Sequence, residues 1–452
     1  MSMLAGPEVD RLVVLAVAAL VAVAGALAFR ARPRLAVVVW LLSVAFVPYW
    51  MGVKIALYFP PATAMAVLVV ASLMGRSPAR LRIPDIVVAA VAAIAVLSYV
   101  AGFATQTAAF TAVATWGLGY LLARVLAGSV DVRWIYGAVA VVLSAAALLA
   151  IVEFATGVNL FVGLPPLGGG EANWRGLQSR GGIVRAEGAF GHSIALGACL
   201  AMSIPLAIGS RLPRWLKVTA VAALLAGTVV TFSRIGIGTA VIGLVLCLFL
   251  MRSQLGIKLR LAIGAVLVAA AVVAVPMIED VFTEAGSEAS GSAQYRGKLV
   301  ALIGTMRMIG VTTSRSRTAE GVLNFSGFES IDSAYILAGL TYGLIVVVLL
   351  LGLHVAAVVA ALRREPDPAL IAVAAQVPAL ASVALITQYA IFFWFVAGLA
   401  VSAYAARRSE DFTLVATGVD VPERPTLVSA RHRAPLAATA PHRPGADHTE
   451  EM

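Results

Sequence analysis

An arginine lying between two apolar runs, with no acid beside it, asks for an anionic partner. Thr231-Phe-Ser233-Arg234-Ile-Gly236 presents one. A guanidinium at the edge of hydrocarbon costs at least a few kcal/mol when unpaired, and its planar fork matches phosphate oxygens. An interhelical salt bridge or a snorkelling contact with a lipid headgroup would answer the same need. A second base-rich stretch, Ser292-Ala-Gln-Tyr295-Arg296-Gly-Lys298, runs into Leu299–Met308. The apolar spacing there predicts a helix lying along a membrane surface with its bases at one end, a pattern that also fits generic headgroup binding.

Two further stretches supply acids and a histidine. In Arg185-Ala-Glu187-Gly-Ala-Phe-Gly-His192-Ser the glycines allow a tight entry into the following apolar run, which would cluster Arg185, Glu187 and His192 at one interface. A plainer reading pairs Arg185 with Glu187 and uses His192 as a helix cap. In Ser330-Ile-Asp332-Ser-Ala-Tyr335, Asp332 is placed to cap the next helix. A carboxylate at the interface that holds Arg234 can also take a proton from an attacking hydroxyl. Bases for phosphate and an acid for a hydroxyl are what a lipid-linked, phosphate-bearing sugar would require.

The elements that must position these residues are membrane helices. Hydrophobic residues make up 61% of the chain and charged residues 12%, against about 25% charged in a typical soluble domain. Apolar runs of about 17–20 residues recur, each long enough for a bilayer core of about 30 Å. The alternating segments of a membrane barrel are absent. The pattern predicts an all-α polytopic membrane protein with about 12–13 transmembrane helices, at 12–29, 35–50, 55–74, 84–103, 107–123, 134–152, 191–209, 218–232, 235–251, 261–278, 333–361, 369–388 and 391–405. The first run leads into Arg30 and Arg32 without a small-residue cleavage pattern, so it reads as a retained helix.

Alternate loops carry the bases, among them Arg30, Arg76, Arg124, Arg211, Arg252, Arg363 and Arg407, while Lys54 stands nearly alone in the opposite short loops. The positive-inside rule then makes the basic loops and the C-terminus cytoplasmic, and puts two long loops, 153–190 and 279–331, outside. The net charge of +10 is spread through these loops as orientation signals and does not point to nucleic acid. Residues 1–408 form one membrane domain in this reading, and the polar, Pro- and Ala-rich 409–452 a disordered cytoplasmic tail. Cys199 and Cys247 lie inside apolar runs as packing residues. No internal repeat of the kind found in many transporters is evident.

Taken in order, Gly188-Ala-Phe-Gly-His192-Ser, Ser233-Arg234, Ser292-Ala-Gln-Tyr-Arg296 and Asp332-Ser-Ala-Tyr335, the last leading to Gly339-Leu-Thr-Tyr-Gly343-Leu, resemble the O-antigen ligase and polymerase superfamily of bacterial envelope enzymes. The resemblance covers roughly residues 180–350. It implies a GT-C-like fold and a metal-independent glycosyltransferase without cofactors, in the multi-pass cytoplasmic membrane with its site on the extracytoplasmic face. The expected partners are an undecaprenyl-diphosphate-linked glycan donor, a glycan acceptor and the bilayer. Arginines at the positions of Arg234 and Arg296, with Arg185 beside them, would hold the diphosphate, and Asp332, or else Glu187 or His192, would assist deprotonation. Ligases of the family carry His-Asn where this chain has Asp332-Ser333, a departure that favours a polymerase-like member. A transporter or flippase for the same lipid-linked glycans is the alternative. It would need polar residues through the middle of several helices; the nearest case, Arg124, lies at a cytoplasmic helix end, so the sequence disfavours it.

Overall fold

The computed structural model describes residues 7–54, 56–76, 80–166, 172–180, 182–252, 255–284, 299–317, 323–328, 330–363 and 366–416. Each expected apolar span finds a helix. In chain order they are α1 (Pro7–Ala31), α2 (Pro33–Phe46), α3 (Pro61–Leu73), α4 (Ile83–Val100) and α5 (Gln106–Phe110). A π-helical stretch, Thr111–Gly117, joins α5 to α6 (Leu118–Ala127), and α7 (Val132–Thr156), α8 (Ser193–Gly209), α9 (Arg214–Val230), α10 (Arg234–Leu250) and α11 (Ile257–Glu284) follow. The last four are α12 (Ala334–Tyr342), α13 (Leu344–Ala361), α14 (Pro368–Leu380) and α15 (Thr387–Ala416). Among the described residues, five stretches are long and apolar enough to cross a membrane: Ile83–Val100, Gln106–Ala127, Val132–Thr156, Leu344–Ala361 and Thr387–Ala406. This is the architecture of an α-helical membrane protein. Everything below concerns the compact unit Met1–Ala406. Residues 409–416, assigned to the tail by composition, continue α15 as helix.

The chain departs from its hydropathy pattern where glycine and proline meet close neighbours. The expected span 333–361 is two helices, broken at Gly343, whose φ is 99°. A side chain there would be strained in that conformation, and its Cβ would come within 2.6 Å of the Met308 carbonyl. The expected span 369–388 stops at Leu380, two residues after Pro378, and α15 restarts at Thr387. The span 55–74 begins late, at Pro61, because proline suits the first helical turn. Just before it, β1 (Val53–Lys54) pairs antiparallel with β2 (Tyr58–Phe59). The surface helix expected over Leu299–Met308 is helical only through Thr305 and runs on extended.

Two kinds of packing hold the bundle. Small residues let α8 and α10 touch: a Cβ on Gly197 would lie 3.3 Å from the Ser233 Cβ, and one on Gly236 would lie 3.1 Å from Gly197. Such close approach drives helix association where lipid removes the hydrophobic incentive. From Ala390 to Val396, α15 is apolar all round and buried all round, as such a helix must be. Its Phe395 meets Trp40 at 4.3 Å between centroids, and its Trp394 stacks on Trp116 at 5.8 Å.

The basic loops meet one another. Arg76 donates to the Arg30 carbonyl, Arg124 to the Arg80 carbonyl and to Ser402, and Arg211 to Asp131. Their partners in the other set also meet. The Trp50 indole donates to the Leu164 carbonyl, and Gln388 donates to the carbonyls of Val47 and Ala189. These bonds mark an arginine end and a loop end of the bundle.

Candidate functional site

The site assembles at the loop end around residues 185–193. Arg185, buried at 7% exposure, donates its Nε to the Thr231 carbonyl at 2.9 Å, while Ala186 N–H donates to the Val230 carbonyl at 3.3 Å. These bonds lay the 185–186 segment along the end of α9, next to the turn that starts α10. Ser233 caps α10 by accepting from Gly236 N–H at 3.1 Å, and Phe232 is held at φ 47° by its burial against Phe154. Arg234, the first residue of α10, is exposed. The structure thus brings Arg185 and Arg234 to one turn. Arg296, with Lys298 and the acidic 279–288, lies outside the residues whose side chains are described.

Glu187 is 1% exposed and accepts the Gln178 N–H at 2.9 Å. Burial pushes its carboxyl up to about 7, outweighing the Gln178 bond and the Arg185 charge, which pull the other way; Glu153 adds to the rise. A carboxyl poised near neutrality suits proton transfer. His192 caps α8, its Nδ1 accepting from Ile194 N–H at 3.1 Å, and its ring meets Trp174 edge-on at 5.9 Å. Burial, with Arg185 nearby, lowers it to about 4, so the ring stays neutral with its proton on Nε2. The structure therefore gives His192 the capping role. Gly191 before it takes φ 64°, where any side chain would strike the Trp174 carbonyl.

Asp332 is exposed and accepts from Ser330 Oγ at 3.2 Å. The expectation that it caps the next helix fails: Ser333 is the cap of α12, accepting from Ile336 N–H at 3.3 Å. The sequence pattern could not separate two adjacent capping residues; backbone geometry selects the one whose side chain reaches the helix. Ala334 N–H donates to the Val383 carbonyl, just past α14, and α14 packs against α10, the helix that Arg234 opens. Asp332 and Arg234 thus share the loop end.

Two residues here escaped the sequence reading. Glu153, buried in the last turn of α7, accepts from Asn159 Nδ2 at 2.8 Å, Glu187 N–H at 3.0 Å and Gly188 N–H at 2.9 Å. An acid in the last turn of an apolar helix opposes the helix dipole and must find donors elsewhere, and that was the available signal. Gln178 links Glu187, through its N–H, to Ser193, whose Oγ donates to the Gln178 side chain at 3.2 Å; nothing in its sequence neighbourhood marks it. Among the described residues no cluster of three metal-ligating side chains occurs.

No family model, no curated protein and no solved structure matches the chain.

Proposed function

We propose that the protein is a metal-independent membrane glycosyltransferase of the O-antigen ligase and polymerase type, with a GT-C-like fold. It would act at the outer face of the cytoplasmic membrane on a glycan carried by undecaprenyl diphosphate. The observation that supports this most is the convergence of Arg185 and Arg234 on the Thr231–Arg234 turn, with the near-neutral carboxyl of Glu187 two residues from Arg185. Two guanidinium groups can stabilise charge that develops on a departing diphosphate.

In the step we infer, an acceptor hydroxyl oxygen bonds to the anomeric carbon. The bond from that carbon to the phosphate oxygen breaks and its electron pair leaves with the lipid diphosphate. The hydroxyl proton passes to a carboxylate, Asp332 at the exposed rim or Glu187 deeper in. Arg296 belongs to the same clamp in this reading.

The test is transfer from a polyprenyl-diphosphate-linked glycan by the purified full-length protein, with and without EDTA. Product should form in both conditions and vanish in Arg234→Ala at normal protein levels. Full activity in that variant would sink the clamp.

One observation favours the flippase alternative: polar side chains are buried within the bundle. Tyr335 Oη lies 2.9 Å from His354 Nδ1, and Tyr389 Oη donates to Gln376 at 3.0 Å. A vesicle assay that shows the donor crossing the bilayer unaltered would select that reading.

A further inference from the structure

A cavity of about 350 Å³ opens beside the π-helical stretch at the loop end. Its lining includes Thr105, Thr107, Thr111, Trp116, Thr341 and Arg315. From Thr105 to Trp116 the wall spans roughly 16 Å at helical rise, so the space runs from the rim into the bundle. Its volume falls near the lower bound of small-ligand pockets, roughly 300–1,000 Å³.

The lining has a particular chemistry. Hydroxyls both donate and accept, and those of Thr107 and Thr341 make no hydrogen bond among the described residues. Trp116, 8% exposed, carries a buried indole N–H without a partner among the described residues. Arg315 alone among the described lining residues bears a charge. The π-helical turn is itself an observation, since single π turns inside α-helices recur at functional sites. Here it widens the helix at Thr111 and Trp116, two of the residues that face the space. Ala108, Ala334, Leu337, Ala338 and Leu385 complete an otherwise apolar wall, and a sugar ring, with hydroxyls at its edge and C–H groups on its faces, fits such a mixture.

We infer that this cavity, between α5–α6 and α12, binds a saccharide unit of the glycan acceptor, separately from the Arg185–Arg234 turn. The inference rests on the transfer reading and adds to it the acceptor's place. Asp332 connects the two, because Ala334, two residues on, lines the cavity.

The experiment is saturation-transfer NMR on the full-length protein in lipid nanodiscs, with glucose, galactose, mannose and glucuronate as probes. At least one sugar should receive saturation. Thr341→Trp, which fills the cavity, should abolish the signal, and Thr107→Val should weaken binding by about threefold to tenfold through one lost hydrogen bond. Arg234→Ala should leave it unchanged. Saturation of none of the sugars, or a full signal in Thr341→Trp, overturns the inference. If Thr341→Trp binds no sugar yet transfers at the wild-type rate, the acceptor assignment falls and the transferase reading stands. Sugar binding by wild-type protein that transfers nothing overturns the transferase reading and the acceptor role together, leaving only a saccharide site.

Discussion

Arg185 Nε and the Thr231 carbonyl, 2.9 Å apart and 46 residues apart in the chain, join the first long loop to the start of α10. The bond carries structural and electrostatic consequences together. It satisfies a carbonyl at the end of α9 that has no helical partner, and it fixes a guanidinium beside the residue that opens the next helix.

Replacing Arg185 therefore affects folding and chemistry at once. Arg185→Ala should lower stability by about 1–3 kcal/mol, the cost of leaving a buried hydrogen-bond partner unsatisfied. Arg185→Lys keeps the charge but loses the fork. It should retain most of the stability while losing transfer activity. Thermal unfolding in detergent, alongside a transfer assay, separates the two.

Glu187 makes stability depend on pH. Its folded carboxyl titrates near 7, above the ordinary 4.5, so the folded state holds its proton more tightly than the unfolded state. That contribution is full below pH 4.5 and is lost as pH rises to about 7, amounting at most to roughly 3 kcal/mol. Glu187→Gln should flatten the unfolding profile across this window. If Glu187 takes the acceptor proton, the acidic limb of activity near pH 7 should disappear with it. An unchanged limb would reserve the role for Asp332.

His192 has the opposite sign. Its folded ring titrates near 4, below the ordinary 6.5, so its contribution is present above 6.5 and is lost as pH falls toward 4. His192→Asn, which can still cap, should remove this dependence at little cost. His192→Ala should cost about 1 kcal/mol at neutral pH through the lost cap. Denaturation followed from pH 4 to 7 checks both.

Asp332 and Ser333 should separate cleanly. Ser333→Ala removes the α12 cap and should cost about 0.5–2 kcal/mol, leaving turnover within a few fold. Asp332→Asn is an exposed change worth within about 0.5 kcal/mol, yet it should abolish transfer. The reverse pattern would take Asp332 out of the chemistry.

Gly343→Ala tests the break in the longest apolar run. A non-glycine residue at φ 99° costs about 1–3 kcal/mol, and the contacts with Met308 and Ile309 add to that. The variant should accumulate poorly and lose the packing of α12, read as faster proteolysis of the loop that precedes it.

The helices were legible in sequence because a bilayer admits few alternatives: runs of Leu, Val and Ala satisfy their backbone internally, and arginines mark alternate loops at Arg30, Arg76, Arg124 and Arg211. Arg185, Glu187 and His192 were legible as a cluster because glycines compress them into eight residues. Tertiary structure decided the rest. An apolar run does not say where it breaks; this chain breaks at Gly343, where the Met308–Ile309 backbone leaves no room for a Cβ, and again after Leu380, two residues past Pro378. Nor does a carboxyl name its donors. Glu153 finds the amides of Glu187 and Gly188 more than thirty residues away, and Ser333, not Asp332, reaches the amide that needs a cap. Hydropathy acts residue by residue and is written in the chain, whereas hydrogen-bond satisfaction in a buried site depends on which loops the packed helices bring together.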